Sequence, residues 1–275
     1  MDDTVPPNKH NTLELTNGRV VKKGPASILR GQEFFYKTYP RSLRFFPEYY
    51  TSSESNGTMT IEMEHIRGVS LFRLLRDRQF TTGHIDMLFD MMNVLHTTPS
   101  PSTAPTKEQV GAMYVDKFRA RLSDASVYPF SQTQACLEGY TKKLNEYSQS
   151  ERLTCTQVIH GDFWLSNMIL DTSGRIVLVD MRGMVGDSLT LGGDPLYDYA
   201  KLYQSLFGYD CCLWNCDYED DYRTTLLEHF HSKVGDKLPD IKMLSTTLML
   251  GTLSAIDTDV ARLRMWTWLM THVSV

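Results

Sequence analysis

No stretch of this 275-residue sequence is apolar for long enough to cross a bilayer, and no internal repeat divides it. The opening residues Met1-Asp2-Asp3-Thr4 lack the basic and then apolar layout of a secretion signal, so a cytoplasmic location is expected. Cysteine is sparse: five residues, an odd number, which argues against a disulfide framework and for free thiols in a reducing compartment. Cys211, Cys212 and Cys216 lie close together, but no second Cys/His pair stands at zinc-binding spacing, so they read as small buried apolar groups. There is no excess of positive charge either. With 28 Lys and Arg against 33 Asp and Glu, the formal net charge of −5 excludes the broad basic face of a general nucleic-acid binder.

What remains is the composition of a soluble globular enzyme, 41% hydrophobic and 22% charged, with enough chain for one small lobe packed on a larger one. The first ten residues are polar and contain Pro6-Pro7, as a loosely attached terminus would. Thr12–Leu15 and Arg19–Lys23 flank Asn17-Gly18 and predict a hairpin, with a helix from Ser27 to about Tyr39. Strands are expected at Phe46–Tyr50 and Thr58–Met63, around the turn Asn56-Gly57. Apolar residues then recur at helical spacing from Ser70 to Arg78 and from His84 to His96. After a Pro/Ser/Thr loop over 97–106, two helices are expected between Glu108 and Tyr147. Met168–Leu170 and Arg175–Val179 around Ser173-Gly174 predict a second short hairpin, and the chain from Pro195 onward reads as mostly helical.

The most informative segment is His160-Gly161-Asp162-Phe163-Trp164-Leu165-Ser166-Asn167, followed by Asp180 in Val179-Asp180-Met181-Arg182-Gly183. A lone loop carboxylate is usually a turn residue or a cap. Here a short hairpin separates Asn167 from Asp180, and its two outer ends must lie close together. Asp162 is then placed to accept a proton from an attacking hydroxyl, and Asn167 and Asp180 to hold magnesium against nucleotide phosphates. Phosphoryl transfer asks for this kind of positioning and charge neutralisation rather than covalent help.

These residues resemble the catalytic loop and metal-binding aspartate of the choline kinase and aminoglycoside phosphotransferase families. A closer similarity is to kinase-like domains associated with capsular and surface-polysaccharide biosynthesis, through Asp180-Met181-Arg182-Gly183 and Gly193-Asp194-Pro195-Leu196-Tyr197-Asp198-Tyr199-Ala200-Lys201-Leu202. The resemblance implies an α+β, two-lobed protein-kinase-like fold: a small β-rich nucleotide-binding lobe over 1–66 and a larger, mainly helical lobe over 67–275. It implies ATP as co-substrate, Mg2+ as the ion at Asn167 and Asp180, and a small-molecule hydroxyl as acceptor, with Asp162 as base. His160 resembles the residue that braces the loop, and Asp194 and Asp198 are supporting residues, Asp198 either capping its helix or bracing the catalytic loop. Arg182 either binds a phosphate or acceptor oxygen or pairs with a structural carboxylate.

The same resemblance asks for a strand lysine and a helix glutamate. Lys22 or Lys23 is the candidate lysine, on opposite faces of one strand, with Glu33 as partner. Met63–Gly68 resembles the hinge, whose main chain at Glu64 and Ile66 would meet the adenine edge. One departure stands out: Asn17-Gly18 is the only glycine-bearing turn before the lysine, too short to blanket a triphosphate. That departure favours the competing reading, a kinase fold that binds without chemistry; a hydrolase with Asp162 as nucleophile lacks the Asp-x-Asp motif it needs. For the acceptor, the sequence offers Tyr203, Tyr209, Trp214, Tyr218, Trp266 and Trp268, with acids at Asp210, Asp217, Glu219, Asp220 and Asp221. These are either a pocket for an ammonium or a sugar face, or core aromatics beside a solvated loop.

Overall fold

The computed structural model describes residues 11–40, 43–122, 133–216, 220–256 and 258–273. Strands β1 (Thr12–Thr16) and β2 (Arg19–Pro25) are joined at Asn17 and Gly18, whose φ values of 52° and 75° are those of a type I′ turn. Helix α1 (Ala26–Thr38) follows, then β3 (Tyr49–Ser55) and β4 (Thr58–Glu64), joined by the same kind of turn at Asn56 and Gly57. The four strands form one antiparallel sheet in the order β1-β2-β4-β3. In β4 the alternate residues Met59, Ile61 and Met63 are buried, and β2 places Lys22 opposite Ile61, on that same inner face. The third strand starts later than the sequence pattern indicates. Its residues Thr51–Ser55 are polar because β3 is an edge strand with mostly exposed side chains, so apolar alternation does not mark it.

The chain then crosses a three-residue connector into β5 (Gly68–Ser70) and α2 (Leu71–Arg76), whose first turn is capped by Ser70 Oγ accepting from Arg73 N at 3.2 Å. Helices α3 (Thr82–Thr97), α4 (Lys107–Leu122) and α5 (Thr133–Ser148) lead to β6 (Met168–Asp171) and β7 (Ile176–Leu178). Those two strands pair with β5 in a second antiparallel sheet, order β5-β6-β7. Neither β5 nor the small hairpin β8 (Met184–Val185) and β9 (Ser188–Leu189) is visible as a sequence pattern, since strands of two or three residues carry no period. Five helices complete the fold: α6 (Pro195–Phe207), α7 (Tyr209–Trp214), α8 (Asp220–Val234), α9 (Leu238–Thr252) and α10 (Asp259–His272). The fold is thus α+β, a small antiparallel sheet with one helix joined to a larger helical part.

One continuous apolar core runs from α1 to α10. Its fully buried rings, Phe35, Phe80, Phe163 and Phe230 among them, each resist truncation to alanine by about 3–5 kcal/mol. Between the two parts, Phe46 packs edge-on against Phe35 at 4.9 Å and stacks on His160 at 6.3 Å, while Leu178 N donates to Phe45 O at 2.7 Å. The small sheet is therefore anchored beside the loop that holds Asp162. Among the described residues no helix is long and apolar enough to cross a membrane, and all five cysteines are free thiols.

Candidate active site

The β6–β7 hairpin sets the site. Met168 faces Leu178 in register, and one step outward Val179 N donates to the Asn167 carbonyl at 2.9 Å, so Asn167 and Asp180 meet at its open end. Asp162 joins them from the preceding loop. Asn167 Nδ2 donates to Asp162 Oδ2 at 2.9 Å and to the Asp162 carbonyl at 3.0 Å. Asp180 sits at φ 61°, a left-handed conformation that costs free energy in a non-glycine residue and is characteristic of functional sites.

Of the two strand lysines, Lys22 faces the cleft and Lys23 faces solvent. Lys22 Nζ lies 2.7 Å from Asp180 Oδ1, and Gln32 Nε2 donates to the same oxygen at 3.2 Å. Glu33 is elsewhere. It accepts from Lys37 Nζ at 2.7 Å and from the Ser52 hydroxyl, and among the described residues it forms no ion pair with Lys22. The reason is helical phase: the inward stripe of α1 is Ala26, Leu29, Gln32, Phe35 and Tyr36, and Glu33 lies one step around the helix from it. Choosing by residue type pointed to Glu33, whereas the helix period points to Gln32.

A tight approach positions this helix. A Cβ at Gly31 would collide with the Arg182 carbonyl, and one at Gly183, at φ 63°, with the Gly31 carbonyl. The paired glycines let α1 touch the segment after Asp180, which carries Gln32 to the carboxylate.

Beneath the loop, α6 acts as a scaffold. Asp198 Oδ2 accepts from His160 N at 2.9 Å and lies 3.0 Å from His96 Nε2, and its Oδ1 accepts from Gly161 N at 2.8 Å. His160 is buried, which pushes its pKa down, and its Nδ1 accepts from Asp162 N at 3.2 Å. Asp194 caps α6 through Leu196 N at 2.9 Å and takes the hydroxyls of Tyr114 and Tyr147 at 2.9 and 2.7 Å; burial raises its carboxyl to about 6. Below Asn167, Ser166 Oγ donates to Asp210 Oδ1 at 2.7 Å, and Ser205 Oγ accepts from Leu165 N at 3.0 Å.

Lys201 was not singled out by sequence reasoning. Its Nζ lies 2.9 Å from Asp162 Oδ1. Burial alone would raise the Asp162 pKa, but the Lys201 ammonium overcomes that and holds the carboxyl below its usual range. The available signal was spacing: Asp198, Lys201 and Ser205 recur at i, i+3 and i+7, a polar stripe on a helix whose remaining residues, Gln204 apart, are apolar or aromatic. Arg182 lies against Gly161, where an added Cβ would come within 2.7 Å of its own Cβ, and forms no ion pair among the described residues. At the end of β4, Glu64 N donates to the Glu48 carbonyl at 2.8 Å, while in the connector the main-chain groups of Ile66 take no part in the hydrogen bonds of the described residues.

The aromatic and acidic acceptor pocket does not form among the described residues. Tyr203, Tyr209 and Trp266 are core, Trp214 stacks on Phe72, and Trp268 donates to the Phe207 carbonyl at 3.1 Å. Asp210 is buried under the loop, and Asp221 is exposed. Asp217, Tyr218, Glu219 and the Asp220 side chain lie outside the described residues.

Could this arrangement hold a magnesium ion? Asn167 gives its amide nitrogen to Asp162, so its oxygen is left for a cation, and the Asp180 carboxylate is about 39% exposed. One amide and one carboxylate oxygen fit a hard ion that completes its shell with phosphate oxygens and water.

No protein-family model matches this sequence, and no curated protein matches it either. Solved structures do. An aminoglycoside 3'-phosphotransferase of type VIII aligns over 90% of this chain and 92% of its own, at 14% identity and a TM-score of 0.56. A choline kinase from Cryptosporidium parvum aligns over 97% and 87%, at 12% identity and a TM-score of 0.54. An aminoglycoside phosphotransferase from Streptomyces rimosus, in complex with ADP and streptomycin, aligns over 94% and 91%, at 17% identity and a TM-score of 0.50. The chain has the two-lobed protein-kinase-like fold of the aminoglycoside phosphotransferases and choline kinases.

Proposed function

We propose that this chain is a small-molecule kinase that transfers the γ-phosphoryl group of a nucleoside triphosphate, ATP foremost, to the hydroxyl of a sugar, polyol or amino alcohol. The observation that carries the reading is the meeting of Asp162, Asn167 and Asp180 at one hairpin end, with Lys22 bound to Asp180. Residues 1–66 form the nucleotide-holding lobe and 67–275 the lobe with the catalytic loop and acceptor. The likeness of Gly193–Leu202 to kinase-like domains of polysaccharide biosynthesis makes surface-glycan metabolism the proposed setting. The Streptomyces rimosus structure holds ADP in this fold, which supports a nucleotide as donor.

Lys22 orients the phosphates, and the main chain at Glu64 and Ile66 meets the base. Asn167 and Asp180 would hold a magnesium ion, which would supply charge neutralisation to the transferred group. Asp162 accepts the proton of the acceptor hydroxyl. Lys201 keeps that carboxylate ionised at neutral pH, so its first task is to orient the hydroxyl, with proton transfer late in a loose transition state.

Incubating the purified protein with Mg2+, ATP and a panel of choline, ethanolamine, sugars and polyols, and following ADP, tests the reading. Asp162→Asn should lower kcat about 10²–10⁴-fold while nucleotide still raises the melting temperature. Undiminished turnover in Asp162→Asn would refute the assignment. The two-residue turn at Asn17-Gly18 favours a second reading, a module that binds nucleotide without chemistry. Stabilisation by nucleotide with no ADP from any acceptor would select it.

A further inference from the structure

The end of α7 brings two thiols together. Asn215 closes this helix in the left-handed conformation, at φ 52° and ψ 46°, and Cys216 N donates back to the Cys211 carbonyl at 3.2 Å. In this six-residue closure the first and sixth side chains meet across the helix end. Here both are cysteines. Cys211 is buried, Cys216 is half-buried, and the Cys211 thiol donates to the Cys216 sulfur. The main-chain bond also keeps their Cα atoms close, and a disulfide asks for Cα atoms about 4.4–6.8 Å apart. Among the described residues these cysteines join no metal-binding cluster.

The two sulfurs differ in reactivity. The hydrogen bond from Cys211 favours the Cys216 thiolate and, with the nearby Arg76, holds that thiol below its ordinary range against burial and Asp210. Every other cysteine is shifted the opposite way. The bond to Cys216 and burial push Cys211 up, and burial raises Cys136, takes Cys155 to about 11 and takes Cys212 to about 12. An accessible thiolate with a second thiol against it is the arrangement that oxidises selectively.

We propose that Cys211 and Cys216 are a site of reversible oxidation, closing to a disulfide on exposure to a hydroperoxide, with Cys216 as the attacking sulfur and Cys211 as the resolving one. The Cys216 thiolate attacks one peroxide oxygen, the O–O bond breaks, and the leaving hydroxide takes a proton to become water. Cys211 then attacks the sulfur of the resulting sulfenic acid. The S–S bond forms, the S–O bond breaks, and the second hydroxide leaves with the Cys211 proton as water. The two thiols lose two electrons, and the peroxide gains them.

The bridge has a route to the active site. On the same short helix, Asp210 Oδ1 accepts from Ser166 Oγ at 2.7 Å, and Tyr209 packs edge-on against Trp164 at 5.6 Å. Ser166 and Trp164 belong to the segment between Asp162 and Asn167. Drawing the sulfurs from contact to a bond of about 2.05 Å moves the end of α7, and the catalytic loop rests on that helix. The oxidation is independent of the kinase reading; its effect on turnover rests on it.

The test treats the reduced full chain with stoichiometric hydrogen peroxide, alkylates the remaining thiols in denaturant and digests with trypsin. Residues 202–223 leave as one peptide holding Cys211, Cys212 and Cys216. By mass spectrometry the oxidised peptide should lack two hydrogens and carry one alkyl group, and dithiothreitol before alkylation should restore three. The Cys212→Ser peptide should still lose the hydrogens and take no alkyl group, whereas the Cys216→Ser peptide should keep them and take two. Full alkylation of the peroxide-treated wild type, or a bridge that survives Cys216→Ser, overturns the proposal. Fragment ions of the wild-type peptide locate the bridge even where a variant does not fold, and a bridge at Cys212 is equally fatal. ADP release by the oxidised protein should fall about tenfold and return with dithiothreitol, while Cys216→Ser is insensitive to peroxide. A bridge that leaves turnover unchanged overturns its hold on the catalytic loop. If the reduced protein turns over no acceptor, the kinase reading fails instead, and the mass readout still decides the thiol pair.

Discussion

Replacing Asp198 with asparagine exchanges one acceptor oxygen for a donor beneath the loop that carries Asp162. Three donors converge on the wild-type carboxylate: His160 N and His96 Nε2 on Oδ2, and Gly161 N on Oδ1, at 2.9, 3.0 and 2.8 Å. The carboxylate is fully buried, so water cannot stand in. With the asparagine oxygen toward His160 and His96, the new NH2 faces Gly161 N; turned over, it faces the other two. Either way at least one buried N–H loses its partner, at about 1–3 kcal/mol, and the remaining bonds lose the strength a charged acceptor gives them. A total of about 2–4 kcal/mol is expected, which a domain of ordinary stability survives folded. Gly161 holds φ 78° on the strength of these bonds, so Asp162 should drift. Turnover should then fall about tenfold or more, while the KM for nucleotide, which the proposed function assigns to Lys22 and the connector, changes little. Urea unfolding followed by circular dichroism, together with steady-state ADP release, checks both parts. An unchanged midpoint and unchanged kcat would refute the idea that α6 holds the catalytic loop through this residue.

Lys22→Met removes the 2.7 Å pair with Asp180. Because Asp180 is partly solvated, stability should move by no more than about 1 kcal/mol. Nucleotide should protect at least about tenfold less well in a thermal-shift titration, and equal protection would remove Lys22 from the phosphate site. Asp210→Asn tests the buried acid under Asn167, whose carboxyl is raised by burial from 3.8 to about 6. A raised folded pKa means that the native state holds a proton the unfolded chain has released, so the wild type loses stability as pH rises from about 4 to 6. The variant lacks that loss. Its stability relative to wild type should climb through this window by about 3 kcal/mol and stay level above it, as pH-dependent denaturation can read. A difference that does not vary with pH would contradict the burial argument.

The parts of the site that were legible in the sequence are those whose geometry is local. Asn17-Gly18 and Asn56-Gly57 announce their hairpins, and a short hairpin after Asn167 leaves Asp180 no place but beside it. Strand alternation separates Lys22 from Lys23, though only the pairing with Ile61 says which one faces in. Glu33 shows where the reading failed. Residue type was matched to a role without asking which face of α1 the position occupies, and Gln32 stands there instead. For the aromatics near the C-terminus the sequence left two alternatives, since a tyrosine or tryptophan that lines a pocket and one that fills a core look alike in a string, and burial puts Tyr203, Tyr209 and Trp266 in the core.

Charge is the deeper case. A net charge of −5 describes the chain, whereas at Asp162 the Lys201 ammonium, 2.9 Å away, outweighs burial and holds the carboxyl below its usual range. Asp198 and Asp210 are spent on backbone and hydroxyl donors, and Asp194 on a helix end and two tyrosines. Composition averages over that division of labour, and a motif search sees only one side of it. Which acids brace the loop and which face the cleft becomes readable only when α6 and the loop that carries Asp162 are packed together.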